Sequence, residues 1–282
     1  MRTRLLGPIV AVALLLAACS SAASPSAPAS AASTSFATSA AGRPPTAANL
    51  TVYGASSLKA ALAKVKTAYE GANPGTTLTI STDSSTALET KIEQGAPADV
   101  FLSADTEDPQ KLVDAGLAAG EVTRFAGNLL AVVVPTANPA GIQTPADLAN
   151  AGLKIIAAGD AVPITTYASQ LVANLAKLPG YPADFAARYA ANVASKEDGV
   201  AGVLSKVGLG EGDAGIVYVT DATSSGKVTT IPIPDAANVP ATYGGVVVKA
   251  SPHVDAATAF MTWLAGPDGQ AILASFGFRP PA

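Results

Sequence analysis

The sequence has 282 residues, of which one is cysteine and one histidine, and these two scarcities exclude a large part of protein chemistry. A lone cysteine, Cys19, forms no internal disulfide. With His253 as the only histidine there is no Cys/His cluster of the kind that holds zinc. Ser-His-Asp catalysis would rest on His253 alone, and nothing in the sequence brings a serine to it. It is expected to lie exposed, just ahead of a helix that starts at Val254. Charged residues make up 13% of the chain against about 25% in ordinary domains, and heavy use of alanine accounts for much of the difference. The formal charge is −4, with scattered lysines and no basic stripe, so the electrostatic footprint of a nucleic-acid binder is missing. No P-loop is present. The run GLGEGD (208–213) looks like a dinucleotide loop, but it precedes a strand pattern where that fingerprint has to follow one.

The N-terminus carries Arg2 and Arg4, then an apolar run from Leu5 to Ala18 that is too short for the roughly 20 residues a spanning helix needs. Residues 1–18 read as a signal peptide. Its Leu-Ala-Ala-Cys ending resembles a bacterial lipobox, in which the chain is cut before Cys19 and that sulfur is diacylated. Two acyl chains are sufficient for stable anchoring to a membrane. Residues 19–48 are almost wholly Ala, Ser, Pro and Thr. They cannot bury a core and are expected to form a disordered tether.

From Asn49 onward, β-branched runs alternate with apolar residues at helical spacing. LTVYG, a helix from Leu58, TLTIS, a helix from Thr86 to Gln94, ADVFLSA, a short helix from Pro109 to Ala115 and NLLAVVVP form a first group. KIIAAGD, helices near 165–178, 183–190 and 197–207, and AGIVYVT form a second. VTTIPIP, TYGGVVVK and two closing helices follow. The alternation predicts an α/β chain with largely parallel sheets, divided into one lobe from residues 49–128 and 236–282 and another from residues 129–235.

Two stretches share one design. GASSLKAAL (54–62) and STDSSTALETKI (81–92) each end a strand pattern with paired serines and then open a helix. The first N–H groups of a helix have no partner inside it, and the aligned peptide dipoles place about half a positive charge there. Two such ends with hydroxyls beside them can hold an anion without Lys or Arg. In open α/β sheets these turns lie where ligands bind.

The order of VYGASSL, DSSTAL, GAPADVFLSAD, GNLLAVVVP, GDAVP, EDGV and GIVYVTD resembles that of the extracytoplasmic molybdate-binding proteins of ABC importers, across essentially all of Leu50 to the C-terminus. The resemblance implies a two-lobed type II periplasmic-binding-protein fold that closes on a dehydrated tetrahedral oxyanion in the cleft between lobes. Molybdate and tungstate would be the ligands, with no cofactor and no catalysis. It further implies an ABC permease and, through the lipid anchor, the membrane as partners, and a monomer outside the cytoplasm. Carried over by position, the oxyanion-binding set is the hydroxyls of Ser57 and Ser85, the backbone N–H groups of Ile164 and Val200, and the phenol of Tyr218. The chain departs from the family pattern at Ile164-Thr165-Thr166, where relatives have a small residue and glycine, so Thr165 or Thr166 is an alternative source of a hydroxyl.

Each residue also has a plainer reading. Serines before helices are usually N-caps, and Thr86-x-x-Glu89 is a ready capping box. Tyr218 alone would be a strand tyrosine and Val200 alone a core residue. Asp99 and Asp105 read as strand flank and helix cap. Three functional alternatives stand beside molybdate: a binder of another oxyanion such as sulfate, a penicillin-reactive serine enzyme using Ser56 and Lys59, and a surface lipoprotein that binds another protein.

Overall fold

The computed structural model describes residues 47–281. The signal peptide, Cys19 and all but the end of the tether lie outside the described residues. The tether's assigned last residue, Ala48, is buried and accepts a hydrogen bond from Thr77 N–H at 2.9 Å. The ordered chain therefore begins before Asn49.

Among the described residues ten strands form two five-stranded sheets. The first lobe opens with β1 (Asn49–Ala55), a 3-10 turn (Ser56–Leu58) and α1 (Lys59–Ala72). It continues through β2 (Thr77–Asp83), α2 (Ser85–Glu93), β3 (Val100–Leu102), α3 (Glu107–Asp114) and β4 (Thr123–Asn128). The second lobe begins at β5 (Leu130–Pro135) and runs through β6 (Ile155–Ala158), α4 (Pro163–Leu175), α5 (Phe185–Ala191), β7 (Val193–Glu197), α6 (Val200–Gly208), β8 (Ala214–Tyr218), α7 (Val219–Ser224) and β9 (Val228–Ile231). The chain then returns to the first sheet as β10 (Ala241–Val247), with α8 (Val254–Ala265) and α9 (Pro267–Ser275) packed on it.

The strand orders are β2-β1-β3-β10-β4 and β7-β6-β8-β5-β9. Within each sheet one strand runs against its neighbours, β10 in the first and β5 in the second. These are the two strands entered directly after a crossing between lobes. The crossings are bound to each other: Asn238 accepts from Leu130 N–H at 3.1 Å and donates to Leu130 O at 3.0 Å.

Burial explains the placement of the helices. On one face of the first sheet, Leu50, Val52, Leu62, Val65 and Tyr69 are buried with Phe260 and Leu264 from α8. The Tyr69 ring meets Phe260 and Trp263 edge-on, with centroids 5.0 and 5.1 Å apart, which ties the C-terminal segment to α1. On the other face a smaller cluster of Leu88, Ile92, Phe101, Leu112 and Val246 holds α2 and α3.

Several local expectations are corrected. The helix predicted from Glu197 starts at Val200, and Glu197 ends β7 instead, where its carboxylate pairs with Lys206 at 2.7 Å. The capping box at Thr86 does not form, because α2 begins one residue earlier, at Ser85. Asp99 accepts Thr51 N–H at 2.6 Å and the Ser251 hydroxyl at 2.5 Å. Asp105 accepts Asp108 N–H at 3.1 Å in the first turn of α3. Asp99 flanks β3 as expected, whereas the N-cap position of α3 falls at Thr106, one residue after the Asp105 expected there.

Candidate functional site

Four helical N-termini converge between the lobes. The first sheet supplies the turn at Ser56 and Ser57 that leads into α1, and the start of α2 at Ser84 and Ser85. The second supplies the start of α4 at Val162, Pro163 and Ile164, and the start of α6 at Val200. Together with Ala55, Ala104 and Tyr218 these residues line one small cavity. It is far smaller than the pockets of several hundred Å3 that hold organic solutes.

Local sequence explains the convergence. Gly54 lets β1 lie against α1, because a Cβ there would sit 2.5 Å from Leu62 Cδ1. That close approach allows the chain to turn straight from strand into the Ser56–Leu58 turn. Val162 is extended and Pro163 occupies the first turn of α4, a position where the missing proline N–H costs nothing. Gly199, the residue before α6, reaches across the cleft; a Cβ on it would lie 3.7 Å from Ser84 Cβ and 3.8 Å from Ser56 Oγ.

All five sequence-assigned residues, Ser57, Ser85, Ile164, Val200 and Tyr218, line this cavity. Neither serine caps a helix through its side chain. Ser85 Oγ accepts Ala104 N–H at 3.0 Å, and Ser57 Oγ lies 3.0 Å from the Tyr243 hydroxyl. Ile164 and Val200 contribute first-turn N–H groups, which have no acceptor within their helices. Thr165 and Thr166 are not brought to the cavity. The Thr165 hydroxyl donates to Gly159 O at 2.7 Å, and its side chain lines a separate, larger space behind α4. Thr166 is exposed.

Tyr218 is the most telling member of the group. It is 1% exposed and its hydroxyl has no hydrogen-bond partner, although buried polar groups nearly always have one. Burial raises its pKa well above the ordinary tyrosine value, so the phenol stays protonated and acts as a donor. No Lys, Arg, His, Asp or Glu lines the cavity, which leaves hydroxyls, N–H groups and helix dipoles to set its field. Such a lining offers hydrogens to a fully deprotonated anion and no strong acceptor to a protonated one.

The lobes also meet beside the cavity. Thr86 Oγ1 lies 3.0 Å from Asp108 Oδ2 in its own lobe and 2.7 Å from Ala161 O in the other. Lys59 is exposed at the start of α1 and has no hydrogen bond to Ser56 among the described residues.

Two open α/β lobes, crossed twice by the chain and closed on a cavity of helix N-termini, define a two-lobed extracytoplasmic solute-binding protein. The chain belongs to the bacterial extracellular solute-binding protein family, whose pattern matches residues 50–279. It is 34% identical over 246 residues to the molybdate-binding protein ModA of Mycobacterium tuberculosis, spanning 87% of this chain and 90% of that one. The periplasmic molybdate-binding protein of Azotobacter vinelandii superposes with a TM-score of 0.69 at 25% identity, over 83% of this chain and 100% of that one. The sulfate-binding protein SubI of Mycobacterium tuberculosis superposes with a TM-score of 0.73 at 22% identity, over 82% of this chain and 86% of that one, a likeness of fold alone.

Proposed function

We propose that this chain binds molybdate, and also tungstate, outside the cytoplasm and delivers it to an ABC importer, without catalysis and without a cofactor. Ser57, Ser85, Ile164, Val200 and Tyr218 are the ligating groups in this reading, and the chain acts as a monomer. The observation that carries it is the Tyr218 hydroxyl, buried without a partner in a cavity lined by donors and free of charged side chains. A buried hydroxyl left unpaired costs about 1–3 kcal/mol, and an oxyanion in the cavity would supply the missing acceptor. The named function of the curated relatives supports the same ligand.

Calorimetry with molybdate, tungstate, sulfate and phosphate tests it. Molybdate and tungstate are expected to bind tightly, with phosphate, which carries a proton near neutral pH, excluded. Tight sulfate binding with no response to molybdate would move the assignment to a sulfate carrier. The anchor belongs to the same proposal: Cys19 is diacylated and the segment between it and Ala47 tethers the binding lobes to the membrane beside the permease. A Cys19→Ser chain is expected in the soluble fraction, and its retention on membranes would remove the anchor.

A further inference from the structure

Tyr243 and Asn128 are buried next to the cavity without lining it. Tyr243 is on β10 and Asn128 is the last residue of β4, at the crossing into the second lobe. The Asn128 amide is fixed in orientation, because Leu129 N–H donates to its Oδ1 at 3.0 Å. Its Nδ2 therefore faces the other way and donates to Thr220 Oγ1 at 2.9 Å and to Tyr243 Oη at 3.2 Å. A phenol that accepts from an amide N–H has one hydrogen left to place. Among the described residues the only other group within hydrogen-bond distance of Tyr243 Oη is Ser57 Oγ, at 3.0 Å. That hydrogen goes to Ser57. The serine oxygen is then an acceptor toward Tyr243, and its own hydrogen finds no protein acceptor outside the cavity.

We propose that Tyr243, held by Asn128, is a positioning residue that commits the Ser57 hydroxyl to donate into the cavity. The chain of donation runs from Asn128 Nδ2–H to Tyr243 O–H, then to Ser57 O–H and the bound anion. Ser85 is set the same way by a simpler device, the backbone N–H of Ala104 donating to its oxygen at 3.0 Å. Both serines thus enter the site with their donor direction fixed before the ligand arrives, which lowers the ordering cost of binding. It also sharpens selection against oxyanions that carry a proton. Tyr243 touches neither the cavity nor the anion and acts only through Ser57. The relay rests on the oxyanion reading above and adds the residues that aim one of its donors.

A double-mutant cycle separates this role from a merely structural one. Tyr243→Phe keeps the ring, its edge contacts with Tyr218 and Phe125, and the packing around it. The variant is expected to weaken molybdate binding roughly tenfold in the parent, within the coupling range of groups in one network. In a Ser57→Ala background the same change is expected to cost less than about twofold, and in a Ser85→Ala background the full factor. Asn128→Leu, which removes the donor and leaves Tyr243, repeats the cycle if the phenylalanine variant does not fold. Equal losses in the parent and in Ser57→Ala, or no loss in the parent, would overturn the relay while leaving the oxyanion site standing. If sulfate is the anion the parent binds, the cycle is read with sulfate. A parent that binds none of molybdate, tungstate and sulfate would overturn the oxyanion reading, and the relay with it.

Discussion

Tyr218 places stability and binding in opposition at a single atom. Its hydroxyl is buried with no partner when the lobes are closed, a state that costs about 1–3 kcal/mol wherever the closed arrangement forms without an anion to accept from it. Tyr218→Phe deletes that oxygen and leaves the ring against Tyr167 and Tyr243, whose centroids lie 6.4 and 5.5 Å away. The ligand-free variant is therefore expected to melt at the parent's temperature or higher, by up to about 1–3 kcal/mol of stability. Its affinity for molybdate should fall about tenfold or more, since a hydrogen bond to a charged group is worth roughly 1.5–3 kcal/mol. Melting followed by calorimetry reads both. A lower melting temperature with unchanged affinity would mean that the hydroxyl serves the fold. At this scale the sequence is a good guide to groups that point at the ligand, because serines before helices announce themselves. It gives no sign of the groups behind them: Tyr243 sits in TYGG and Asn128 in GNLL, and both look like ordinary strand residues until the lobes are assembled.

Among the elements, α7 shows how a cap can carry a pH dependence. Asp221 lies in its first turn and accepts Tyr218 N–H at 3.3 Å, yet it is almost wholly enclosed, and burial pushes its pKa from 3.8 up to about 7. Below about pH 4 the carboxyl is protonated in folded and unfolded chains alike. Between that pH and about 7 only the folded chain holds the proton, so stability falls as pH rises through this window and the loss is complete above the folded value. Asp105, raised to about 6 chiefly by burial and then by Asp108, adds to the same trend. Asp221→Asn keeps an acceptor for Tyr218 N–H and removes the titration. It is expected to flatten the decline in Tm between pH 5 and pH 8, with a gain of about 2–4 °C or more at the upper end. An unchanged profile would show that Asp221 is ionised in the fold. Strands and helices of this kind were largely readable from periodicity, and the failures are specific. The helical spacing that follows Glu197 runs back through it and does not reveal that Gly199 precedes the first turn of α6. Thr86 has the spacing of a capping box, but its hydroxyl is drawn to Ala161 of the other lobe, a tertiary partner that local sequence cannot name. The short strand Thr123–Asn128 shows no alternation, since all its residues from Phe125 onward are buried.

For the whole molecule, the arrangement of the lobes follows from two crossings that local patterns could suggest only by the return of the last strand to the first sheet. The reversal of β5 and β10 is invisible in sequence, because strand direction is set by where the chain enters each sheet. Close to these crossings the lobes are joined by Asn238 between the two passages, by Asn128 donating to Thr220 and by the packed rings of Tyr218 and Tyr243, while across the helix N-termini they touch through Thr86 with Ala161 and Gly199 near Ser56 and Ser84. That balance leaves a bound pivot and a lightly held mouth. Without an anion between them, four helix N-termini facing one another across the cavity would oppose closure, since each brings about half a positive charge toward the others. An oxyanion reverses the sign of that term and bridges donors from both lobes, so closure and binding are linked. Small-angle scattering is expected to show a smaller radius of gyration with molybdate than without. The same compaction should fail in a Ser57→Ala, Ser85→Ala double variant at ligand concentrations that saturate the parent. A radius that does not change in the parent, despite binding measured by calorimetry, would mean that the lobes are closed before the anion arrives and that it enters by a path other than parting of the cleft.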